Sequence, residues 1–223
     1  MAARGVRSFV LRTGKISAGQ KRCYETLFPV FGIKANGLID TALLFGNTNP
    51  AVIEIGFGMG RATACIAEKN PEMNYLGIEV HKPGIGRLLW EIEKRELKNI
   101  RIVEGDAAEI LKQSISDESV SAFHIFFPDP WPKKRHHKRR LLTRPFTDLL
   151  GAKLIPGGYI YMVSDWDDYG DWALRELSET PVLKNKYKDF AEKQDWRPQT
   201  EFEKKGLSKK HKIRELFFIK NQE

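Results

Sequence analysis

Short runs of apolar residues, several of them β-branched, recur along the chain, and most end at a glycine, a proline or an acidic residue. This pattern is typical of buried strands. The predicted strands cover 51–55, 74–80, 100–105, 119–127 and 158–164, with a last strand at 212–220.

The segments between these runs carry apolar residues three or four positions apart, which indicates helices. The predicted helices cover 60–69, about 83–97, 107–113, 140–154 and 166–177. Repeated alternation of strand and helix predicts an α/β fold: a doubly wound, mostly parallel sheet with helices on both faces. The strand at 212–220 is expected at the edge of this sheet, after a charged and irregular stretch that begins at Pro181.

Acidic residues lie at the ends of the predicted strands. Glu54, Glu79, Asp106 and Asp129 lie within or just after the first four strands, and Asp165 follows the fifth. In open α/β sheets, ligands bind beyond the carboxyl ends of the strands. These acids therefore mark the loops that are expected to form the site.

The first of these loops reads EIGFGMGR and contains Gly56, Gly58 and Gly60. Glycines allow positive φ angles and close approach of a ligand to the backbone. A dinucleotide site requires G-x-G-x-x-G, but the last position of that pattern is Arg61 here. The carboxylate of Glu54 would repel a pyrophosphate. It favours instead S-adenosylmethionine, which carries a sulfonium and an ammonium group.

Two further acids fit the same ligand. Glu79 can accept hydrogen bonds from ribose hydroxyls, and Asp106 can accept one from an adenine amino group. Each acid alone could equally be a helix cap or a solvated surface residue. Together with Glu54 and the glycine loop, they favour the methyl donor over NAD.

The loop after the fourth strand reads FFPDPWPKKRHHKRR and holds one acid, Asp129, between two prolines that restrict its backbone. Trp131 offers a flat face on which a base could stack, although it could also be a core residue, and Asp129 could simply form a turn. Guanine N7 has a free lone pair at neutral pH, so its methylation releases no proton and leaves a cation. A nearby carboxylate would stabilise that developing charge.

Positive charge is concentrated in three segments of this chain of 223 residues with net charge +8. Segments 1–24, 133–144 and 184–214 hold 24 of the 37 Lys and Arg residues but only five of the 29 acids. An acidic body with three basic segments suits a polyanionic partner, although Lys-rich segments also serve solubility. The run KKRHHKRR would contact phosphates; a nuclear import signal is the alternative.

Other chemistries have little support. His136 and His137 are adjacent, so they point in different directions and are expected to contact RNA or solvent and not a metal. The two cysteines, Cys23 and Cys65, form no metal-binding motif. No apolar run approaches the roughly 20 residues of a membrane helix, and no secretory signal is recognisable. We therefore expect no metal, no membrane association and a cytoplasmic location.

Seven stretches of the chain resemble the bacterial-type tRNA (guanine-N7-)-methyltransferases, a family of class I S-adenosylmethionine-dependent methyltransferases. The matching stretches are RTGKIS (12–17), EIGFGMG (54–60), GIEVHKPG (77–84), GDAAE (105–109), FFPDPWPKKRHHKRR (126–140), SDWDDY (164–169) and TEFEKKG (200–206). The resemblance implies a Rossmann-like fold of seven strands with an antiparallel C-terminal edge strand. It also implies transfer of a methyl group to N7 of guanine 46 in the tRNA variable loop.

Residue roles follow from the same resemblance. Asp129 would be the catalytic acid. The donor would be held by Glu54, Gly56, Gly58, Gly60, Glu79, Asp106 and Asp129. The substrate would be contacted by Lys133, Asp165, Thr200, Phe202 and Glu203. The RNA backbone would be contacted by Arg135, His136, His137, Lys138, Arg139 and Arg140.

The predicted organisation is a basic N-terminal arm at 1–45 and a methyltransferase domain at 46–223, which includes a basic C-terminal segment at 181–211. No obligatory protein partner is inferred, and both a monomer and a homodimer are compatible with the sequence. Two alternatives stay open: a methyltransferase that acts on another RNA, and a non-catalytic RNA-binding protein with the same fold.

Overall fold

A computed structural model describes residues 8–9 and 14–222. One sheet runs through the described part of the chain. Its strands are β1 (Gly32–Ile33), β2 (Ala51–Ile55), β3 (Asn74–Glu79), β4 (Ile100–Glu104), β5 (Val120–Phe126), β6 (Leu154–Ser164), β7 (Leu183–Asn185) and β8 (Arg214–Lys220). Their order in the sheet is β1-β4-β3-β2-β5-β6-β8-β7.

Strand β2 lies in the middle of the sheet and pairs in parallel with β3 and β5. Glu54 is in register with Gly77 of β3 and with His124 of β5. All five residues of β2 are buried, because helices cover both faces of the sheet. This explains why β2 appears in the sequence as an apolar run without alternation, interrupted only by Glu54.

Helices pack on both faces of the sheet. They are α1 (Ala18–Phe31), α2 (Thr41–Phe45), α3 (Arg61–Lys69), α4 (Lys82–Arg95), α5 (Ala107–Ser114), α6 (Arg144–Lys153), α7 (Asp167–Ser178) and α8 (Glu201–Ser208), with a 3₁₀ helix at Lys134–Arg139. One apolar core joins the sheet to α1, α3 and α4. A second core joins the opposite face to α5, α6 and α7.

The predicted α/β, doubly wound and mostly parallel fold is confirmed. Two details of that prediction need correction. The described residues form eight strands where seven were expected, because a two-residue strand, β1, pairs with β4. Strand β8 is antiparallel, as predicted, but it does not lie at the edge of the sheet. It pairs with β6 on one side and with the short strand β7 on the other.

Part of the predicted N-terminal arm packs on the rest of the fold. Helix α1 begins at a capping box in which Ser17 and Gln20 exchange hydrogen bonds. Arg22 of α1 pairs with Glu93 of α4 at 2.5 Å. A Cβ atom at Gly86 would lie only 2.4 Å from the carbonyl oxygen of Gln20, so α1 and α4 are in close contact. Residues 1–7 and 10–13 of the arm, including the start of RTGKIS, lie outside the described residues.

No helix among residues 14–222 has the length and apolar character needed to cross a membrane.

Candidate active site

A cavity of about 660 Å³ opens at the carboxyl ends of β2, β3 and β5. It brings together many of the residues that the sequence predicts for the site. Those that line it are Glu54, Gly56, Gly58, Gly60, Glu79, Asp129, Thr200 and Phe202.

The glycine loop between β2 and α3 forms one wall of the cavity. Gly56, Gly58 and Gly60 have φ angles of +73°, +56° and +66°, a region that residues with a Cβ atom rarely occupy. A Cβ atom at Gly60 would lie 2.6 Å from Cβ of Leu88. The backbone at these three positions therefore depends on glycine.

Glu54 contributes a buried carboxyl group to the cavity wall. It is only 3% exposed, and this burial, with the nearby carboxylate of Glu79, raises the pKa of Glu54 to about 7. A buried acid of this kind favours a ligand that brings positive charge. It disfavours a pyrophosphate, in agreement with the argument from the glycine motif.

Glu79 lies at the end of β3 and is held by backbone N–H groups. Gly58 N donates to its Oε2 at 2.8 Å, while Val80 N and His81 N donate to its Oε1 at 2.7 and 3.0 Å. These bonds link the glycine loop to β3 and fix the orientation of the carboxylate. A carboxylate has about four acceptor positions, so roughly one stays available for a ligand hydroxyl.

Asp106 is placed differently from the other predicted donor contacts. Its side chain caps α5 by accepting a hydrogen bond from Ala108 N at 2.9 Å. It lines a neighbouring cavity of about 590 Å³, whereas the adjacent Gly105 and Ala107 line the main cavity. The structure therefore places Asp106 at the boundary between the two cavities.

Asp129 follows β5 and faces the main cavity. It is exposed, and no described residue donates a hydrogen bond to its carboxylate. The backbone around it is nevertheless held in place. Phe127 N donates to Val163 O at 2.8 Å, and Arg140 Nε donates to Pro130 O at 3.0 Å. Asp129 is thus an accessible carboxylate on a fixed loop.

Arg140 is the exception within the basic run, because its side chain is fully buried. Its guanidinium pairs with Asp168 and lies over the rings of Tyr169 and Trp172, at 5.2 and 5.0 Å. Together with its bond to Pro130, these contacts make Arg140 a support of the Asp129 loop. The guanidinium has no exposed surface for the predicted contact with RNA.

The remaining basic residues of the run lie on or near the surface. Lys133, Lys134, Arg135 and Lys138 are exposed. Partial loss of solvent and the surrounding positive charges, chiefly Arg135 and Lys133, lower the pKa of His136. The 3₁₀ helix and the residue before it therefore present exposed cations shortly after Asp129 in the chain.

Trp131 and Arg139 form a small cluster with the N-terminal segment. The guanidinium of Arg139 lies 4.0 Å from the centroid of the Trp131 ring and so covers one face of the indole. Trp131 Nε1 donates to Ser8 O and Arg139 donates to Phe9 O, each at 2.9 Å. Because of these contacts, Trp131 is a poorer stacking platform for a base than its sequence position suggests.

His137 and Asp165 are half-buried and have side-chain partners. His137 Nε2 lies 3.1 Å from Arg140 and 3.8 Å from Asp168. Asp165 Oδ2 lies 3.5 Å from His211 Nδ1. Asp165 also packs against α8, because a Cβ atom added at Gly206 would lie 2.8 Å from the Cβ atom of Asp165.

The C-terminal segment closes the other side of the cavity through the start of α8. Thr200 caps the helix by accepting a hydrogen bond from Glu203 N at 3.0 Å. Burial alone would raise the pKa of Glu203, but hydrogen bonds from Arg197 and Lys193, at 2.5 and 3.1 Å, lower it. Glu203 is thus buried beneath the wall, and Phe202 projects outward with 61% of its surface exposed.

The comparisons with known proteins agree with this geometry. A family model described as "Putative methyltransferase" matches residues 48–216. A tRNA (guanine-N(7)-)-methyltransferase of Nitrosospira multiformis is 47% identical over 98% of this chain and 96% of its own length. The protein of the same name from Methylobacillus flagellatus is 46% identical over 98% of this chain and 92% of its own length. This chain belongs to the tRNA (guanine-N(7)-)-methyltransferase family.

A solved structure shares the fold of this family member. The 16S rRNA methyltransferase KamB superposes with a TM-score of 0.61 over 83% of this chain and 95% of its own. The two sequences are only 14% identical, so the likeness concerns the fold alone.

Three features of this methyltransferase site were not predicted from the sequence. Arg197 is completely buried and joins Glu203 to Glu215 of β8, at 2.5 and 2.6 Å. Phe127 lines the cavity with a φ angle of +52°. Ser8 and Phe9 reach the cavity from the N-terminal segment. Among the described residues, no group of three or more His, Cys, Asp or Glu side chains could hold a metal ion.

Proposed function

We propose that this protein is a tRNA (guanine-N7-)-methyltransferase that transfers the methyl group of S-adenosylmethionine to N7 of a guanine in tRNA. The observation that carries the proposal is the accessible carboxylate of Asp129 at a cavity that is also lined by a glycine loop with a buried acid. The curated relatives with 46–47% identity carry the same activity in their names. The finer assignment to guanine 46 of the variable loop and a cytoplasmic location belong to the same proposal.

The glycine-loop side of the cavity suits the methyl donor. The buried carboxyl of Glu54 would face a positively charged group of the donor, and Glu79 has room to accept a hydrogen bond from a ribose hydroxyl. Gly105 and Ala107 line the cavity next to Asp106, whose carboxylate could accept a hydrogen bond from the adenine amino group. S-adenosylmethionine supplies an electrophilic methyl group attached to its sulfonium.

Asp129 is assigned to the guanine side. Its carboxylate can accept hydrogen bonds from the N1–H and the amino group of guanine, which fixes the ring. As N7 gains the methyl group, positive charge passes from the donor sulfonium to the purine, and the carboxylate stabilises it more in the transition state than in the ground state. No proton has to leave during this step, so a general base is not required.

The RNA backbone is assigned to the exposed cations of the 3₁₀ helix. Lys133, Lys134, Arg135 and Lys138 are exposed, within nine residues of Asp129, and can contact phosphates. His136 and Arg139 lie next to them. Arg140 supports the loop from below, so we do not include it among the phosphate contacts.

A transfer assay tests the proposal. Labelled S-adenosylmethionine is incubated with the protein and unmodified tRNA, and in parallel with a tRNA in which adenine replaces guanine 46. We expect label in the first RNA and none in the second. Equal labelling of the two tRNAs would indicate that a different nucleotide is methylated. A ribosomal RNA fragment is a third substrate, and label in that fragment but not in tRNA would indicate a methyltransferase that acts on another RNA. Donor-independent tRNA binding without transfer would favour a non-catalytic RNA-binding protein.

A further inference from the structure

Two phenylalanine rings face each other at the cavity, one on each of two segments that are distant in sequence. Phe127 follows β5, and Phe202 lies in the first turn of α8. Their ring centroids are 6.2 Å apart and their planes differ by 20°. Both rings line the cavity together with Asp129.

Phe127 is held in an unfavourable backbone conformation. Its φ angle is +52°, which is rare for a bulky residue, and such outliers often mark functional positions. The hydrogen bond from Phe127 N to Val163 O continues the pairing with β6 and holds the residue there. The ring is thereby fixed two positions before Asp129.

Phe202 is an exposed ring on an anchored turn. It keeps 61% of its surface exposed although it packs beside another aromatic ring. The next residue, Glu203, is buried and bonded to Arg197 and Lys193, and Arg197 is bonded in turn to Glu215. The turn therefore presents Phe202 at a defined place, and burial of the ring in a core does not explain its position.

A base can lie between the two rings once the Phe202 ring moves outward. A base between two aromatic rings requires about twice the 3.4 Å rise of stacked bases, or roughly 7 Å between the ring planes. The two rings now stack on each other with centroids 6.2 Å apart, so their planes stand closer than this, and the Phe202 ring is 61% exposed and can move. The ring also lies beside the donor loop, since a Cβ atom at Gly58 would be 3.9 Å from its Cε2.

We propose that Phe127 and Phe202 form a slot in which the target guanine stacks during methyl transfer. The inference rests on the proposed function and specifies how the base is held. The slot orients any base by stacking, which is sequence-tolerant, while Asp129 selects guanine through its hydrogen bonds. Phe202 and Phe127 replace Trp131 as the stacking platform, because Arg139 covers one face of Trp131.

Substitutions at Phe202 test the slot, because an exposed residue can be changed without disturbing the fold. Phe202→Leu keeps an apolar side chain but removes the aromatic face, whereas Phe202→Tyr keeps the face. We expect Phe202→Leu to lower kcat/KM for tRNA roughly 10- to 100-fold. Phe202→Tyr should stay within about threefold of wild type. Leu207→Ala, which changes another exposed apolar residue of α8, is the matched control and should behave as wild type.

A fluorescence measurement distinguishes loss of base stacking from a general distortion of the site. The tRNA carries at the target position a fluorescent guanine analogue that keeps the N1–H and the amino group, and S-adenosylhomocysteine fills the donor site. In the wild-type complex the extruded base should be quenched by the two rings. In Phe202→Leu and in Phe127→Leu the quenching should be lost, while donor binding stays within about twofold of wild type.

Three results would overturn the slot: activity of Phe202→Leu within threefold of wild type, equal losses in Phe202→Leu and Phe202→Tyr, or unchanged quenching in both Leu variants. These outcomes differ from failure of the proposed function. If wild type transfers no label to tRNA, the proposed activity is wrong. If wild type transfers label normally and the Phe202 variants do the same, only the slot is wrong.

Discussion

The loops after β2 and β5 both face the cavity, but they are fixed by different means. After β2 the conformation of the loop comes mainly from its own three glycines at positive φ, and the bond from Gly58 N to the Glu79 side chain joins it to β3. After β5 the loop carries no such glycines, and the Arg140 side chain supports it by bonds to Pro130 and Asp168. The shape of the donor-side loop is thus set mainly by its own residue types, whereas the RNA-side loop depends on side-chain contacts.

This difference separates two functions that can fail independently. Changes in the β2 loop should affect donor binding and folding. Changes in the β5 loop should affect transfer and RNA binding while donor binding survives.

The largest effect is expected at Asp129. Asp129→Ala should lower kcat about 10²- to 10³-fold, because it removes a charge that stabilises the transition state. Donor affinity should fall far less, since Glu54 and Glu79 remain. Single-turnover transfer measures the first quantity and calorimetric titration with S-adenosylmethionine the second. Near-normal turnover would contradict the role of Asp129, and loss of donor binding would contradict the separation of the two loops.

Gly60→Ala should damage the donor side alone. A Cβ atom at this positive φ position would overlap Leu88 at 2.6 Å, so the free energy of unfolding should fall by about 3 kcal/mol from strain and overpacking. Chemical denaturation measures this loss, and the same sample gives the donor Kd. Gly37→Ala is the control, because a Cβ atom there meets nothing within 4 Å and its φ is not positive. Equal effects of both substitutions would contradict this account of the loop.

Donor binding should depend on pH through Glu54, whose pKa burial raises to about 7. Below pH 7 the carboxyl is protonated and neutral, so it no longer attracts a cationic ligand. Donor affinity should therefore decrease as the pH falls below 7, by up to about tenfold per unit, with release of a proton on binding. Calorimetry in buffers of different ionisation enthalpy detects that proton. Glu54→Gln should bind the donor more weakly, and its donor affinity should no longer depend on pH in this range. If the variant keeps the pH dependence, a group other than Glu54 is responsible for it.

The smallest effects are expected at the exposed cations of the β5 side. Lys134→Ala, Arg135→Ala and Lys138→Ala should each weaken tRNA binding a few-fold and reduce the slope of log K against log salt by roughly one. Lys98→Ala changes an exposed lysine just before β4, at the opposite end of the sheet, and should leave the slope unchanged. Arg140→Ala should lower the free energy of unfolding, because it removes a buried support of the β5 loop, and it should leave the salt slope nearly unchanged. An unaltered salt slope in all three variants would show that the RNA backbone binds another surface of the protein.

The same contrast explains what the sequence could predict. The strands β2 to β5 match their predictions closely, because buried parallel strands appear as continuous apolar runs between turn residues. The glycine loop was predictable for a similar reason, since positive φ requires glycine. Both features are encoded within a few neighbouring residues.

Features that depend on distant contacts were missed. Helix α8 has no clear apolar stripe; its Thr200 cap and the Glu203–Arg197 pair hold it in place. Arg140 could not be told from its charged neighbours, because only the fold shows that its partner is Asp168. Helix α1 mixes polar and apolar residues and contains Pro29, which concealed it. The roles proposed for the individual site residues stay predictions until the variants are measured.

The most direct test of the central claim is to identify the methylated nucleoside and its position. tRNA from cells with and without this protein is digested and analysed by mass spectrometry, and purified protein is then added back with S-adenosylmethionine. The account predicts 7-methylguanosine at position 46 that disappears without the protein, returns with wild type and does not return with Asp129→Ala. A methyl group on another atom or another nucleotide, or restoration by Asp129→Ala, would contradict it.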